Sequence, residues 1–203
     1  MNNEIQLKNQ EENKLAERNA QTEMMVARQA QEVQVAMIAA KKFPRDEFSA
    51  IERIKATCQR MTLAEQAIYS YPKGGQNVSG PSIRLAEAIA QGWGNIDAGV
   101  IELSNQNGKS EMMAYAWDLE TNTRITKTFT VEHVRDSKMG RKNLTDARDI
   151  YEATANFGAR RVRACILAII PGDITEMAVN ECKKTLASKE TRPVEEIVKG
   201  LID

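Results

Sequence analysis

Arg160, Arg161 and Arg163 stand together in Ala155-Asn156-Phe157-Gly158-Ala159-Arg160-Arg161-Val162-Arg163-Ala164, inside a stretch with helical periodicity. At about 100° per residue, Asn156, Arg160 and Arg163 fall on one stripe of that helix, opposite Tyr151, Gly158, Val162 and Ile169. Guanidinium groups at fixed spacing on a rigid helix suit phosphates, because they make paired contacts and keep their charge. Arg161 lies near the edge of the packed side and reads either as a structural ion-pair partner or as the floor of a groove. Further cations precede the helix. Arg124 and Lys127 lie in a strand-like run, and Arg135, Lys138, Arg141 and Lys142 lie in a polar stretch. With Arg148 they bring the span from Thr121 to Arg163 to ten basic residues, against five acidic ones (Glu132, Asp136, Asp146, Asp149 and Glu152). The whole chain has 28 Lys plus Arg and 28 Asp plus Glu, so its neutral total hides this segment. A solvated face with ordinary salt bridges produces the same residue pattern. A ligand role is favoured by the direct joining of the basic loop, 135–142, to the helix that carries Arg160 and Arg163. A strand held by its phosphates keeps its base edges free.

Other chemistries find less in the residues. Gly75-Gln-Asn-Val-Ser-Gly80-Pro81-Ser82 has the glycines and the final Ser of a phosphate-binding loop, but Pro81 stands where the lysine is needed. The glycines there are assigned to a turn. Glu102, Asp118, Glu120 and Glu132 lie on or beside strand-like runs, as metal-holding carboxylates do, yet none of these glutamates begins the Glu-x-Lys triplet of a two-metal nuclease. His133, the sole histidine, reads as a sheet residue. Cys58, Cys165 and Cys182 match no metal-ligand spacing and read as free thiols of a reducing compartment, Cys165 in the core. Trp93, Tyr115, Trp117 and Phe129 have the residue type that stacks on bases, but at strand spacing they read as core. The residues therefore predict no catalytic group, no metal and no cofactor.

The elements that must position these cations follow from periodicity. A first helix carries Val26, Ala30, Val33 and Met37. A second, from about Arg45 to Arg60, is expected to bury Phe48, Ile51, Ile54 and Cys58. Thr62-Leu63-Ala64-Glu65 has a capping-box pattern that predicts a short third helix. Tyr71 to Gly80 reads as a loop by composition, and Gly80-Pro81 as the start of a helix that ends at Gly92. The period then changes to alternation over Ile96–Leu103, Ser110–Leu119 and Arg124–Val134, which predicts an antiparallel meander with one buried face. A polar loop over 135–143 follows, then a long helix from Thr145 to Ile169 with Asp146 and Asp149 at its positive end, and a last helix from Ile174 to Ser188. The fold class expected is α+β: a three-stranded antiparallel β-meander followed by a long packed helix, with helices flanking on both sides. Residues 1–23 are expected to be a flexible polar terminus, 24–188 a single domain with its β-β-β-α core at about 95–171, and 189–203 a charged tail. The chain's opening residues lack the basic start and apolar stretch of a signal peptide, and no run approaches the roughly 20 apolar residues of a membrane span, so a cytoplasmic protein is expected.

The helix Ile83-Arg84-Leu85-Ala86-Glu87-Ala88-Ile89-Ala90, the Gly92-Trp93-Gly94 turn, three antiparallel strands, and the helix with the Phe157-Gly158 step before Arg160, Arg161 and Arg163 resemble a known arrangement. It is the core of single-strand annealing proteins, the phage recombinases of the Erf, RecT and Red-beta kinds and the eukaryotic Rad-fifty-two proteins. The resemblance spans roughly residues 79–171. Over the whole chain, including Lys42-Phe43-Pro44-Arg45-Asp46-Glu47 and Ala168-Ile169-Ile170-Pro171-Gly172-Asp173, the sequence is also similar to phage proteins of recombination genes. It implies a ring or filament of identical subunits that binds single-stranded DNA in a basic groove and anneals complements without ATP. Arg160, Arg161 and Arg163 match the basic cluster of the family's long helix, and Lys138, Arg141 and Lys142 correspond to its loop. Asn156, Arg124 and Lys127 complete the expected DNA-binding set. A phage exonuclease and a host single-strand-binding protein are the further partners the resemblance suggests. The alternative is a phage-encoded interaction module that binds a host repair or replication protein.

Overall fold

The computed structural model describes residues 23–25, 27–137 and 140–190. Lys138, the expected flexible terminus up to residue 22 and the tail from 191 lie outside them. The chain divides into two compact units, Met1–Pro44 and Arg45–Asp203. In the first, residues 23–25 and 27–42 are helical, the latter forming α1, with an Arg28–Glu32 pair at 2.8 Å one turn apart. Met24 and Met25 before it and Val35 and Ile38 on it are exposed.

The second unit is α+β with antiparallel sheets. Helix α2 (Glu47–Cys58) starts at Asp46, whose carboxylate accepts from the Phe48 amide. The Ser49 hydroxyl and then the backbone amides of the first turn hold the Asp46 carboxyl below its ordinary value despite some desolvation. α2 buries Ala50, Ile54 and Cys58, with Ile51 packed partly against them. Phe48 is exposed, contrary to the periodicity, because the stripe that faces the core runs through Ala50 instead. Helix α3 (Met61–Ala64) is a single turn that begins one residue before the capping-box threonine, and Arg60 precedes it without a side-chain cap.

The segment expected as a loop is a hairpin, β1 (Ile68–Lys73) with β2 (Gln76–Pro81), paired from Ile68↔Pro81 to Lys73↔Gln76. Gly74 and Gly75 turn it at φ 59° and 80°, the left-handed region that glycine enters at no steric cost. Pro81 ends that strand instead of opening a helix. Ser82 caps α4 (Ile83–Trp93) by accepting from Leu85 N.

The meander then follows as β3 (Ile96–Gln106), β4 (Lys109–Asp118) and β5 (Thr123–Glu132), in spatial order β3-β4-β5. The polar stretch after it is also paired, β6 (Val134–Ser137) with β7 (Gly140–Asn143), so a second hairpin stands between the meander and the long helix. Helix α5 (Ala147–Ile169) packs across β4, β5 and β3, and α6 (Gly172–Glu190) packs on α2, α3 and α4. α6 extends past the expected end at Ser188.

The covered face of β4 is its small-residue face. Ser110, Met112, Ala114 and Ala116 are buried, while Met113, Tyr115 and Trp117 are half-buried on the other side. Small side chains let a helix approach the sheet closely. Gly158 does the same from the helix side, since a Cβ there would meet Val100 Cγ2 at 3.1 Å. The core continues through Leu85, Ile89, Trp93, Val162, Cys165, Ile166 and Cys182.

Candidate nucleic-acid interface

The orientation of α5 decides where its arginines point. Asp146 caps it, accepting from Arg148 N at 2.8 Å and Asp149 N at 3.4 Å. The buried stripe is Thr154, Gly158, Val162, Cys165 and Ile166, with the Cys165 thiol at 3.7 Å from the Ala114 carbonyl of β4. Tyr151, expected on this stripe, is exposed, and Thr154 holds the place in the packed face. With that stripe seated on the sheet, Arg160 is exposed and Arg161 and Arg163 are partly buried at the flanks.

Each of the three rests on an aromatic ring. Arg161 lies 5.1 Å from the Phe129 centroid and 5.5 Å from that of Phe157. Arg160 lies 5.8 Å from Phe157, and Arg163 lies 4.4 Å from Tyr69 of β1. Cation–π contacts fix a guanidinium without neutralising it. Among the described residues, none of the three has a carboxylate within ion-pair distance. Asn156, exposed on the same helix, donates its side-chain amide to the Glu152 carbonyl at 2.9 Å.

Lys127 of β5 is opposite Ala114, on the side of the sheet that α5 covers, and two residues before Phe129. Burial raises the Cys165 thiol above its ordinary value, and the Lys127 charge partly offsets this. Arg124 is elsewhere. It is opposite Trp117 and lies 4.9 Å from that ring and 5.6 Å from Tyr115, on the face turned away from α5. The β6–β7 hairpin pairs two of its cations with acids: Arg135 with Asp149 at 3.3 Å, and Arg141 with Glu132. Lys142, opposite Arg135, is exposed with no such partner among the described residues. The structure thus places Arg161 over β5, the strand that carries Lys127, and Arg163 over Tyr69 of β1, with Arg160 exposed on α5; it leaves Arg141 and Lys142 on a separate hairpin and turns Arg124 to the face away from α5.

The residues weighed for other chemistry are engaged elsewhere. Asp118 accepts from Arg45 Nη2 at 2.7 Å, and Glu120 accepts from Arg45 N at 2.9 Å, Arg45 Nε at 3.3 Å and Asn95 Nδ2 at 2.9 Å. Desolvation acts to raise the Glu120 carboxyl, but these donors outweigh it and leave the carboxyl below its ordinary value. Ser110 Oγ and His133 Nε2 are 2.8 Å apart but both buried, which closes that pair to a substrate. All three cysteines are free and buried. No group of three or more His, Cys, Asp or Glu that could hold a metal occurs among the described residues. A cleft of about 420 Å³ lies between α4, β3 and α5, lined by Ile83, Glu87, Ala90, Val100, Ala159 and Val162 among others.

Sequence reasoning missed Tyr69 and Tyr71, whose alternation in Tyr69-Ser70-Tyr71 is a strand signal that runs into the stretch assigned to a loop from Tyr71. It also took Phe157 only as part of a step before a glycine. No family model, curated protein or solved structure matches the chain, and among the described residues no helix is long and apolar enough to cross a membrane.

Proposed function

We propose that the protein binds single-stranded DNA and anneals complementary strands without ATP, as the phage single-strand annealing proteins do. The observation that carries this reading is the set of three arginines on α5. Arg160, Arg161 and Arg163 are fixed on Phe157, Phe129 and Tyr69, and no carboxylate among the described residues neutralises them. Cations held by rings and left unpaired retain their whole charge for phosphates. In this reading β3–β5 and α5 form the β-β-β-α core, with β6–β7 as an insertion that lends Arg141 and Lys142 to the edge of the groove. The active form is a homo-oligomer, a ring or filament, in the bacterial cytoplasm, supplied with single strands by an exonuclease and working beside the host single-strand-binding protein. The reaction makes and breaks no covalent bond, so the site needs no catalytic residue.

A second reading, an interaction module for a host repair or replication protein, is favoured by the exposed side chains of Met24, Met25, Val35 and Ile38. A gel shift with a labelled single-stranded oligonucleotide at two salt concentrations separates the two. The annealing reading expects binding that weakens steeply with salt, together with pairing of complementary oligonucleotides in the absence of ATP. Absence of binding at low salt leaves the interaction module as the better account.

A further inference from the structure

Strand alternation puts Tyr69, Tyr71 and Lys73 on one face of β1. The Tyr69 and Tyr71 rings are stacked, with centroids 6.0 Å apart and planes inclined by 23°. Tyr69 is held on two sides. The Arg163 guanidinium lies 4.4 Å from its ring. Across the hairpin it faces Gly80, where a Cβ would come within 2.8 Å of the tyrosine hydroxyl, so the small residue makes room for the ring. Tyr71, opposite Val78, is 47% exposed. One exposed ring is ordinary on a protein surface. Here the exposed ring extends a stack that ends on an unpaired arginine. One helical turn back along α5 is Arg160, and about one turn further back is Phe157, 41% exposed, with the Arg160 guanidinium 5.8 Å from its ring. Aromatic faces alternating with unpaired cations match a strand whose bases and phosphates alternate.

We propose that the β1–β2 hairpin is a base-stacking wall, in which Tyr71, backed by Tyr69, takes the face of an unpaired nucleobase while Arg163 and Arg160 take neighbouring phosphates. The inference rests on the single-strand reading above and adds a means of selection to it. A duplex offers its phosphates but no free base face, because its bases are stacked on one another. The wall therefore separates single strands from duplexes, which arginines alone would bind alike. Tyr69 is the positioning residue, and Tyr71 makes the contact.

The test uses two labelled oligonucleotides of equal length and charge, one of thymidines and one of abasic sites, titrated against the full chain by fluorescence anisotropy. The expected result is a preference for the thymidine strand of about five- to a hundredfold, the range base–aromatic stacking supplies. Tyr71→Ala is expected to lose that preference and Tyr71→Phe to keep it, with both variants folded by circular dichroism. Equal affinity of the parent chain for the two strands overturns the wall and leaves the single-strand reading standing, as does a Tyr71→Ala variant that keeps the preference. Failure of both strands to bind at low salt overturns the reading and the wall together.

Discussion

Arg45 and three arginines of α5, Arg160, Arg161 and Arg163, are the same residue in opposite electrostatic settings. The Arg45 side chain is 6% exposed and meets Asp118, itself 4% exposed, and Glu120, while its guanidinium lies 4.9 Å from the Trp93 ring. Arg160, Arg161 and Arg163 also lie over rings, yet they face no carboxylate among the described residues. A buried guanidinium without counter-charges would cost several kcal/mol, so the fold surrounds Arg45 with acids. A cation at a water-exposed flank has no such requirement, and its unbalanced charge remains available to an anionic ligand. The aromatic contact is common to both regions, so it is the carboxylates that separate an arginine that holds the fold from one that can bind.

The largest effect expected from breaking this contrast is on stability. Arg45→Ala leaves Asp118 and Glu120 buried or half-buried without their partner and is expected to cost about 3–5 kcal/mol, measured by urea unfolding. Affinity of the remaining folded molecules for single-stranded DNA should be unchanged. The pH dependence follows from Glu120, whose carboxyl lies below the ordinary glutamate value of 4.5. Its contribution is complete above that value and is lost as pH falls through the lower value of the folded state. The stability gap between parent and variant should therefore narrow as the solution is acidified below about pH 4.5. A gap that stays constant on acidification would show that Arg45 acts through packing on Trp93 alone.

The opposite result is expected at α5. Arg160→Ala combined with Arg163→Ala should cost no more than about 0.5 kcal/mol at exposed Arg160 and about 1 kcal/mol at half-buried Arg163, where the contact with the Tyr69 ring is lost. It should reduce the slope of log affinity against log salt by about 1.4, the value for two phosphate contacts on a single strand. Normal annealing by this variant would remove α5 from the groove. Loss of folding would place its arginines in the same class as Arg45.

The contrast between these regions was only partly legible in the sequence. Alternation located β3, β4 and β5 because a half-buried sheet forces a period of two, and the run ending at Ile169 located α5. Alternation does not say which face is covered. Tyr115 and Trp117 were expected in the core, but α5 lies on the face of Ala114 and Ala116, because a helix needs small residues to approach a sheet closely. Arg124 consequently lies on the face away from the other cations, although its distance along the chain gives no hint of this. The β1–β2 hairpin was hidden by Pro72, Gly74 and Gly75, turn residues by composition that here sit in and between two exposed strands. Arg45 was unreadable as a structural cation, because its partners lie 73 and 75 residues away and only the folded chain brings them together.

Arg141 stands between the two classes, and it gives the smallest and most discriminating effect. It is exposed like Arg160, yet it is paired with Glu132, also exposed. An exposed pair contributes at most about 1 kcal/mol and is screened by salt, so Glu132→Gln should leave the unfolding midpoint nearly unchanged. If a carboxylate partner is what withholds an arginine from a ligand, the same substitution frees Arg141 and removes a negative charge beside the groove. Single-strand affinity should then rise by a few-fold at low salt and converge with that of the parent chain as salt increases. Arg141→Ala should abolish the gain when combined with Glu132→Gln, because the freed guanidinium is then absent. A gain that survives in the double variant would mean that Glu132 acts only through its long-range repulsion of phosphate, and that Arg141, though exposed, belongs with Arg45.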